Sequence, residues 1–361
     1  MSHPSVLIRA DAGVLIGTGH IMRSLVLARA LRDKGVGVHW LCRTLPQATR
    51  DLLEGTGFAA HNLNGGASEA EGIVSVAGGL NARFVVVDHY GIDWQLEGAL
   101  RRSGLGVLAM DDTYCRHDCD IVLNQNVFAD GSRYRDLVAD GTRLLMGWRY
   151  SLLRDEFVNL ERRIRPTPDF GSLSVLVAFG GSDPANMTMK TLRGLALLGS
   201  PGMQISIVVG AANPLLKRIK AAASGCDLDA TILSDVRDMA RRLNLADLAI
   251  TAGGSMHLEL IASALPSLMI AIADNQRGAT LAMGEKGLAV DLGWYEDVTE
   301  EDIASAVLAL VSHPTHYQEM VTRLEEYQSP GGAHRVANAI LKWTGRSTQH
   351  TAETQLQPKP G

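Results

Sequence analysis

The chain has 361 residues, 46% of them hydrophobic and 37 of them glycine, which is too long for one ordinary core and suits two. Lys and Arg number 34 against 39 Asp and Glu, for a net charge of −5. That balance, with no dense basic stripe, argues against nucleic acid as the main partner and leaves room for a local pocket that takes a nucleotide diphosphate. The four cysteines (Cys42, Cys115, Cys119, Cys226) are no disulfide framework in a chain this long. No basic leader precedes Val6 and no apolar run approaches the roughly 20 residues that span a bilayer, so a cytoplasmic protein without membrane insertion is expected.

Short apolar, β-branched runs alternate with longer helical patterns. Strands are predicted over residues 5–10, 36–42, 84–87, 106–110 and 120–123, with helices starting near His20, Gln47, Ser68 and Asp93. Such alternation signals a parallel sheet covered on both faces. Ligands of these sheets sit outside the carboxyl ends of the strands. Polar residues fall there: Asp11, then Asp88-His89-Tyr90, Asp111-Asp112 and Asn124-Gln125-Asn126.

Between the first strand and the first helix stands Gly17-Thr18-Gly19-His20, with Arg23 one helical turn on. Glycine lets backbone approach a ligand closely, and a helix N-terminus turns free N–H groups and partial positive charge toward an anion. The run is not the dinucleotide fingerprint G-x-G-x-x-G, because His20 and Arg23 hold the following positions. Three residues apart on a helix, they face the same side. His20 is the candidate proton acceptor. A helix-surface histidine and an ion-paired arginine are the plain alternatives. Asp88 is placed to orient His20 or a ligand hydroxyl, or else to cap the next turn, and Tyr90 to pack on a sugar. Asp11 is the other carboxylate that fits the orienting role. Cys115-Arg-His117-Asp-Cys119 has no recognised zinc spacing and no second cluster to complete four ligands, so it reads as a loop with buried thiols.

A charged connector, residues 153–165, runs into Pro166-Thr-Pro168, which marks a linker. Strands are then predicted over 175–179, 205–209, 230–233, 248–251, 267–273 and 288–292. Gly180-Gly181-Ser182-Asp183 follows the first of these, with a helix expected from Pro184. Gly253-Gly254-Ser255 ends another, with Glu259 four residues further on. Backbone N–H groups and a serine hydroxyl at such turns suit a diphosphate, and Glu259 is placed to accept from both ribose hydroxyls. Ser255 also fits an N-cap. In Asp274-Asn275-Gln276, Asn275 reads as an N-cap and Gln276 as a ligand contact. A last amphipathic helix is expected over 333–343, its apolar face docking on the first domain, and residues 346–361 are expected to be disordered.

Taken in order, Arg9-Ala-Asp11, Gly17-x-Gly19-His20-x-x-Arg23, Val86-Val-Asp-His-Tyr90, Asp111-Asp112, Asp120-Ile-Val-Leu-Asn124, Gly180-Gly-Ser-Asp-Pro184, Gly253-Gly-Ser255 with Glu259, and Asp274-Asn-Gln276 resemble the UDP-sugar hydrolases of pseudaminic acid biosynthesis. The resemblance covers residues 5 to 345. It implies an α/β chain of glycosyltransferase-B type: two Rossmann-like parallel-sheet domains with a central cleft. Residues 1–165 would carry the catalytic histidine, His20, and residues 166–345 would bind the UDP moiety. The substrate implied is a UDP-linked 2,4-diacetamido-2,4,6-trideoxy sugar. Its binding residues would be Asp11, Gly17, Gly19, Arg23, Asp88, Tyr90, Gly181, Ser182, Gly254, Ser255, Glu259, Asn275 and Gln276. Met256-His257-Leu258 departs from the family, which often carries small hydroxyl residues and an aromatic there.

The reaction so implied is hydrolysis at the anomeric carbon with inversion, His20 acting as general base and UDP leaving as an anion. The scheme needs no metal and no cofactor. Two rivals use the same residues: a glycosyltransferase in which His20 activates an acceptor hydroxyl, and a non-catalytic nucleotide-sugar-binding protein. The sequence carries no signal for the oligomeric state.

Overall fold

A computed structural model of the protein describes residues 5–13, 19–63, 68–200, 202–210, 213–225, 228–234 and 236–355; Cys226 lies outside them. The chain divides into two compact units. The first holds Met1–Gln125, Ala129–Arg154 and Gly331–Gly361, and the second holds Asn126–Phe128 and Asp155–Pro330.

The first unit runs β1 (Ser5–Ala10), α1 (Gly19–Arg32), β2 (Val38–Cys42), α2 (Gln47–Gly55), β3 (Ala59–Asn62), α3 (Glu69–Gly79), β4 (Ala82–Asp88), α4 (Trp94–Arg102), β5 (Gly106–Met110), β6 (Ile121–Asn124) and β7 (Arg143–Met146). These strands form a seven-stranded parallel sheet in the order β3-β2-β1-β4-β5-β6-β7. Alternate residues feed opposite faces. Val6, Ile8, Trp40, Phe84, Val86 and Leu108 pack with Ile21, Leu27 and Leu31 of α1, while Leu7, Leu41, Val85, Val107 and Val122 pack with Ile73 of α3 and Leu100 of α4. Each such fully buried aliphatic contributes roughly 1.5–3 kcal/mol. The order reverses between β1 and β4, so the topological switch point lies where Ala10 pairs with Asp88.

The second unit runs α5 (Asp155–Val158), β8 (Ser174–Ala178), α6 (Met187–Leu197), β9 (Gln204–Val209), α7 (Leu216–Gly225), β10 (Asp229–Ser234), α8 (Met239–Leu245), β11 (Leu248–Ala252), α9 (Met256–Ser263), β12 (Ser267–Ala271), α10 (Asp274–Glu285), β13 (Val290–Trp294), α11 (Glu300–Ser312) and α12 (Pro314–Glu326). Its six-stranded parallel sheet has the order β10-β9-β8-β11-β12-β13, with a switch point between β8 and β11. Both glycine turns, Gly180-Gly181 and Gly253-Gly254, leave the carboxyl ends of those two strands.

Four expectations need correction. The unit boundary falls at Arg154–Asp155, not after residue 165. Residues 155–165 are no free linker: Arg165 is buried and donates to the carbonyls of Leu243, Ala246 and Ser263, at the C-terminal ends of α8 and α9, and Arg163 donates to Asp247 and the Ala246 carbonyl. The last helix, α13 (Gly332–Gln355), docks on the first unit as its apolar face implied, so residues 332–345 belong there and not with the second. Its Val336, Ala337 and Ile340 join the α1 side of that core, and Trp343 meets Phe84 edge-on at 5.3 Å. The backbone expected to be disordered from residue 346 continues this helix to Gln355; residues 356–361 lie outside the description. No helix of the described residues is long and apolar enough to cross a membrane.

Candidate active site

At the first switch point β4 delivers Asp88 to the sheet end with its side chain fully buried. Beside it, the first turn of α1 presents His20, only 6% exposed. His20 Nδ1 lies 2.6 Å from Asp88 Oδ1. An ionised carboxylate only accepts, so Nδ1 carries a proton and donates; with that single proton on the ring, the lone pair is on Nε2. That is the tautomer a general base requires. The same carboxylate accepts from Arg23 Nε at 2.8 Å, from Arg23 Nη2 at 2.5 Å and from Ser24 Oγ at 3.1 Å. Burial works to raise the Asp88 pKa, but the charge of Arg23 and the hydrogen bonds from Arg23 and His20 outweigh it and hold the carboxyl well below the usual carboxylate range.

Arg23 reaches onward to Asp112 Oδ2 at 2.8 Å, and the same oxygen accepts from the Tyr90 hydroxyl at 3.0 Å. The Tyr90 ring meets the His20 ring edge-on, centroids 4.8 Å apart at 80°. Of the two carboxylates that could orient His20, it is Asp88 that does so. Asp11 instead ties the ends of β1 and β2 together. It accepts from Arg9, from the backbone N–H groups of Arg43 and Thr44 at 2.7 and 3.1 Å, and lies 3.2 Å from His89 Nε2. Arg9, itself buried, is held further by Glu69 at 2.8 Å. Gly19 opens α1 and is exposed, while Gly17 lies outside the described residues.

In the second unit, Gly181 and Ser182 are exposed in the turn after β8, where Gly180 takes φ +80°. Helix α6 begins at Met187, not at Pro184. Asp183 folds back, in the left-handed region at φ +42°, and accepts from the N–H groups of Met187 and Thr188 at 2.9 and 2.8 Å. The free end of α6 is therefore capped by the protein's own carboxylate, and an anion at this turn would have to meet the Gly181-Ser182 backbone. At the other turn Ser255 occupies the N-cap position of α9 without a side-chain cap, and Glu259 stands in the first turn. Gly253 is needed for close approach: a Cβ there would come within 2.0 Å of Thr280 Oγ1 and 3.0 Å of the Gln276 carbonyl. His257 is buried, its Nδ1 on the Gly254 carbonyl at 2.8 Å, so it braces this turn from within. The N-cap of α10 is Ala273, not Asn275, which lies exposed in the first turn. Gln276 accepts from the Ile272 N–H at 3.1 Å and keeps its Nε2 toward Gly254.

The structure thus gathers His20, Arg23, Asp88 and Tyr90 in the first unit, and Gly254, Ser255 and Gln276 around one turn of the second. The sequence reading noted Asp112 as a strand-end residue without giving it a part. The available signal was its position after β5, the strand next to β4. Its neighbour Asp111 turns inward to the Tyr134 hydroxyl at 2.7 Å and toward His117.

No protein-family model matches the chain. It is 27% identical over 289 residues to the UDP-2,4-diacetamido-2,4,6-trideoxy-beta-L-altropyranose hydrolase of Campylobacter jejuni, covering 79% of this chain and 98% of that one. It is 26% identical over 356 residues to the UDP-N-acetylglucosamine–N-acetylmuramyl-(pentapeptide) pyrophosphoryl-undecaprenol N-acetylglucosamine transferase of Cupriavidus metallidurans, covering 91% of this chain and 96% of that one. Among solved structures, MurG of Acinetobacter baumannii superimposes with a TM-score of 0.67 at 16% identity, covering 94% of this chain and 99% of that one. The chain therefore has the two-domain fold of the glycosyltransferase-B enzymes and, in sequence, is similar to a hydrolase of a UDP-linked diacetamido sugar.

Proposed function

We propose that this protein hydrolyses the anomeric bond of a UDP-linked 2,4-diacetamido-2,4,6-trideoxy sugar, the altrose-configured one being the first candidate, as a step of pseudaminic acid biosynthesis. The observation that carries the reading is the His20–Asp88 pair, a buried imidazole held in the proton-accepting tautomer. In this reading Asp88 orients His20, and His20 Nε2 takes a proton from water as its oxygen bonds to the anomeric carbon. The bond from that carbon to the diphosphate oxygen breaks, and its electron pair leaves with UDP. One displacement inverts the anomeric centre. UDP is a good leaving group, so a second carboxylic acid is not demanded. The second unit takes the nucleotide, with backbone N–H groups of the Gly181-Ser182 and Gly254-Ser255 turns on the diphosphate, Glu259 on the ribose, and Asn275 and Gln276 beside them.

Similarity to the Cupriavidus metallidurans transferase over 91% of the chain favours one second reading, in which His20 activates an acceptor hydroxyl instead of water. Incubating the protein with the UDP-sugar in the absence of any acceptor, followed by NMR, separates the two. Free sugar and UDP, lost in His20→Ala, support the hydrolase; an intact donor that is consumed only when acceptor is added supports the transferase.

A further inference from the structure

Among the described residues, Arg23 and Tyr90 both lie against His20, and both end on one oxygen, Oδ2 of Asp112. Arg23 spends Nε and Nη2 on Asp88 and Nη1 on Asp112. All three of its nitrogens donate to carboxylates, so it braces the base. A guanidinium held by Asp88 alone would keep freedom to swing about that carboxylate; the third contact fixes its plane. Nη2 lies 3.4 Å from His20 Nδ1, so the Arg23 charge sits against the imidazole. Tyr90 is 59% exposed, and its hydroxyl on Asp112 helps to hold the ring against the His20 edge.

We propose that Asp112 is a positioning residue for the base. It locks Arg23 in the orientation that braces Asp88, it pins Tyr90 against the imidazole, and its negative charge balances the guanidinium beside the ring. Among the described residues the charged and titratable groups facing His20 are Asp88 at the end of β4, Arg23 on its own helix, and Tyr90 and Asp112 from the turns after β4 and β5. This rests on the reading of His20 as the base, and the test separates the two.

The variant is Asp112→Asn, which keeps the shape and removes the charge. Its kcat is expected to fall by up to about 100-fold with KM little changed, because the base and not the substrate is misplaced. One of the two carboxylates that balance the Arg23 cation is then gone, which disfavours an imidazolium beside it. The acid limb of the kcat/KM profile is therefore expected to move to lower pH by about half a unit or more. The His20 ring signals, followed by NMR titration without substrate, are expected to move in the same direction. That readout holds whatever reaction the protein catalyses, so a protein inactive on the UDP-sugar still tests the inference. Asp112→Glu is expected to return the limb toward its wild-type position. Tyr90→Phe, at an exposed residue, guards against a fold defect: the ring-current shift on the His20 protons is expected to weaken once the hydroxyl anchor is gone. An unmoved His20 titration in Asp112→Asn, a loss confined to KM, or an unchanged ring-current shift in Tyr90→Phe would overturn the proposal.

Discussion

His20 Nδ1 lies 2.6 Å from Asp88 Oδ1, joining the first turn of α1 to the last residue of β4 across the switch point of the first sheet. The pair fixes the tautomer of the imidazole. Asp88→Asn removes the charge that Arg23 and His20 both require, and its amide N–H₂ competes to donate where only an acceptor fits. We expect hydrolysis by this variant to fall by about 10²- to 10⁴-fold, the range a general base supplies. UDP binding, measured by calorimetry, is expected to stay within a factor of about two because the nucleotide is assigned to the second unit. A matching loss of UDP affinity would place Asp88 in the binding of nucleotide instead.

Arg23 is also a stability residue, because its cation neutralises the buried Asp88 carboxylate. Arg23→Ala would leave the Asp88 carboxylate buried without its cation, a change that costs about 3–5 kcal/mol in comparable buried pairs. Asp88 has a depressed folded-state pKa, so its contribution is present above the ordinary carboxylate range and is lost as pH falls through the folded value. In Arg23→Ala the acid-unfolding midpoint is therefore expected to move to higher pH. Urea unfolding at neutral pH and an acid titration by circular dichroism measure the two effects.

A second buried histidine gives a stability signal of opposite pH sense. His117 Nδ1 lies 2.9 Å from Glu97 Oε1 and its Nε2 lies 3.5 Å from Asp111 Oδ2. Burial pushes its pKa down, but its hydrogen bonds to Asp111 and Glu97 and their charges outweigh this and raise it to about 9. A raised folded value means the stabilisation is whole below the unfolded value of about 6.5 and fades as pH rises toward 9. The linkage is worth at most about 3 kcal/mol. The stability gap between the wild type and His117→Gln, followed by denaturant unfolding, is expected to shrink steadily from pH 6 to pH 9.5. A gap that stays constant would mean that His117 is held neutral.

The strand-end polar residues were legible because nearly all the central strands are continuous apolar runs, and parallel sheets put their chemistry at the carboxyl ends. The edge strands of the first sheet were not. β3 is Ala59-Ala-His-Asn62 and β7 is Arg143-Leu-Leu-Met146; each is half-buried and lacks the apolar run that marks a covered strand. The last helix was legible as amphipathic, and its stripe of Val336, Ala337 and Ile340 joins the core of the first unit, where its apolar face was expected to dock. By contrast, the pairing of His20 with Asp88, 68 residues apart, depends on strand order, and β1 lies beside β4 only once the sheet has formed.

The glycine turn of the second unit makes a separate prediction. A methyl group at Gly253 would press on Thr280 Oγ1 and the Gln276 backbone at the start of α10. Gly253→Ala is expected to cost about 1–3 kcal/mol of stability through overpacking. It is also expected to weaken UDP binding by shifting Gly254 and Gln276 together. Gly254→Ala, whose added atom would find only Gln276 Nε2 at 3.8 Å, is the milder control. Equal stability of the two variants in thermal unfolding would mean that α10 gives way freely.

The most direct test of the account is turnover of the UDP-sugar in water enriched in oxygen-18, with the products resolved by mass spectrometry. Attack by a His20-activated water on the anomeric carbon predicts that the label enters the free sugar and none enters UDP, with both products abolished in His20→Ala. Label in UDP would place bond breaking at phosphorus and contradict the mechanism, and undiminished label in the sugar made by His20→Ala would contradict the role given to the histidine.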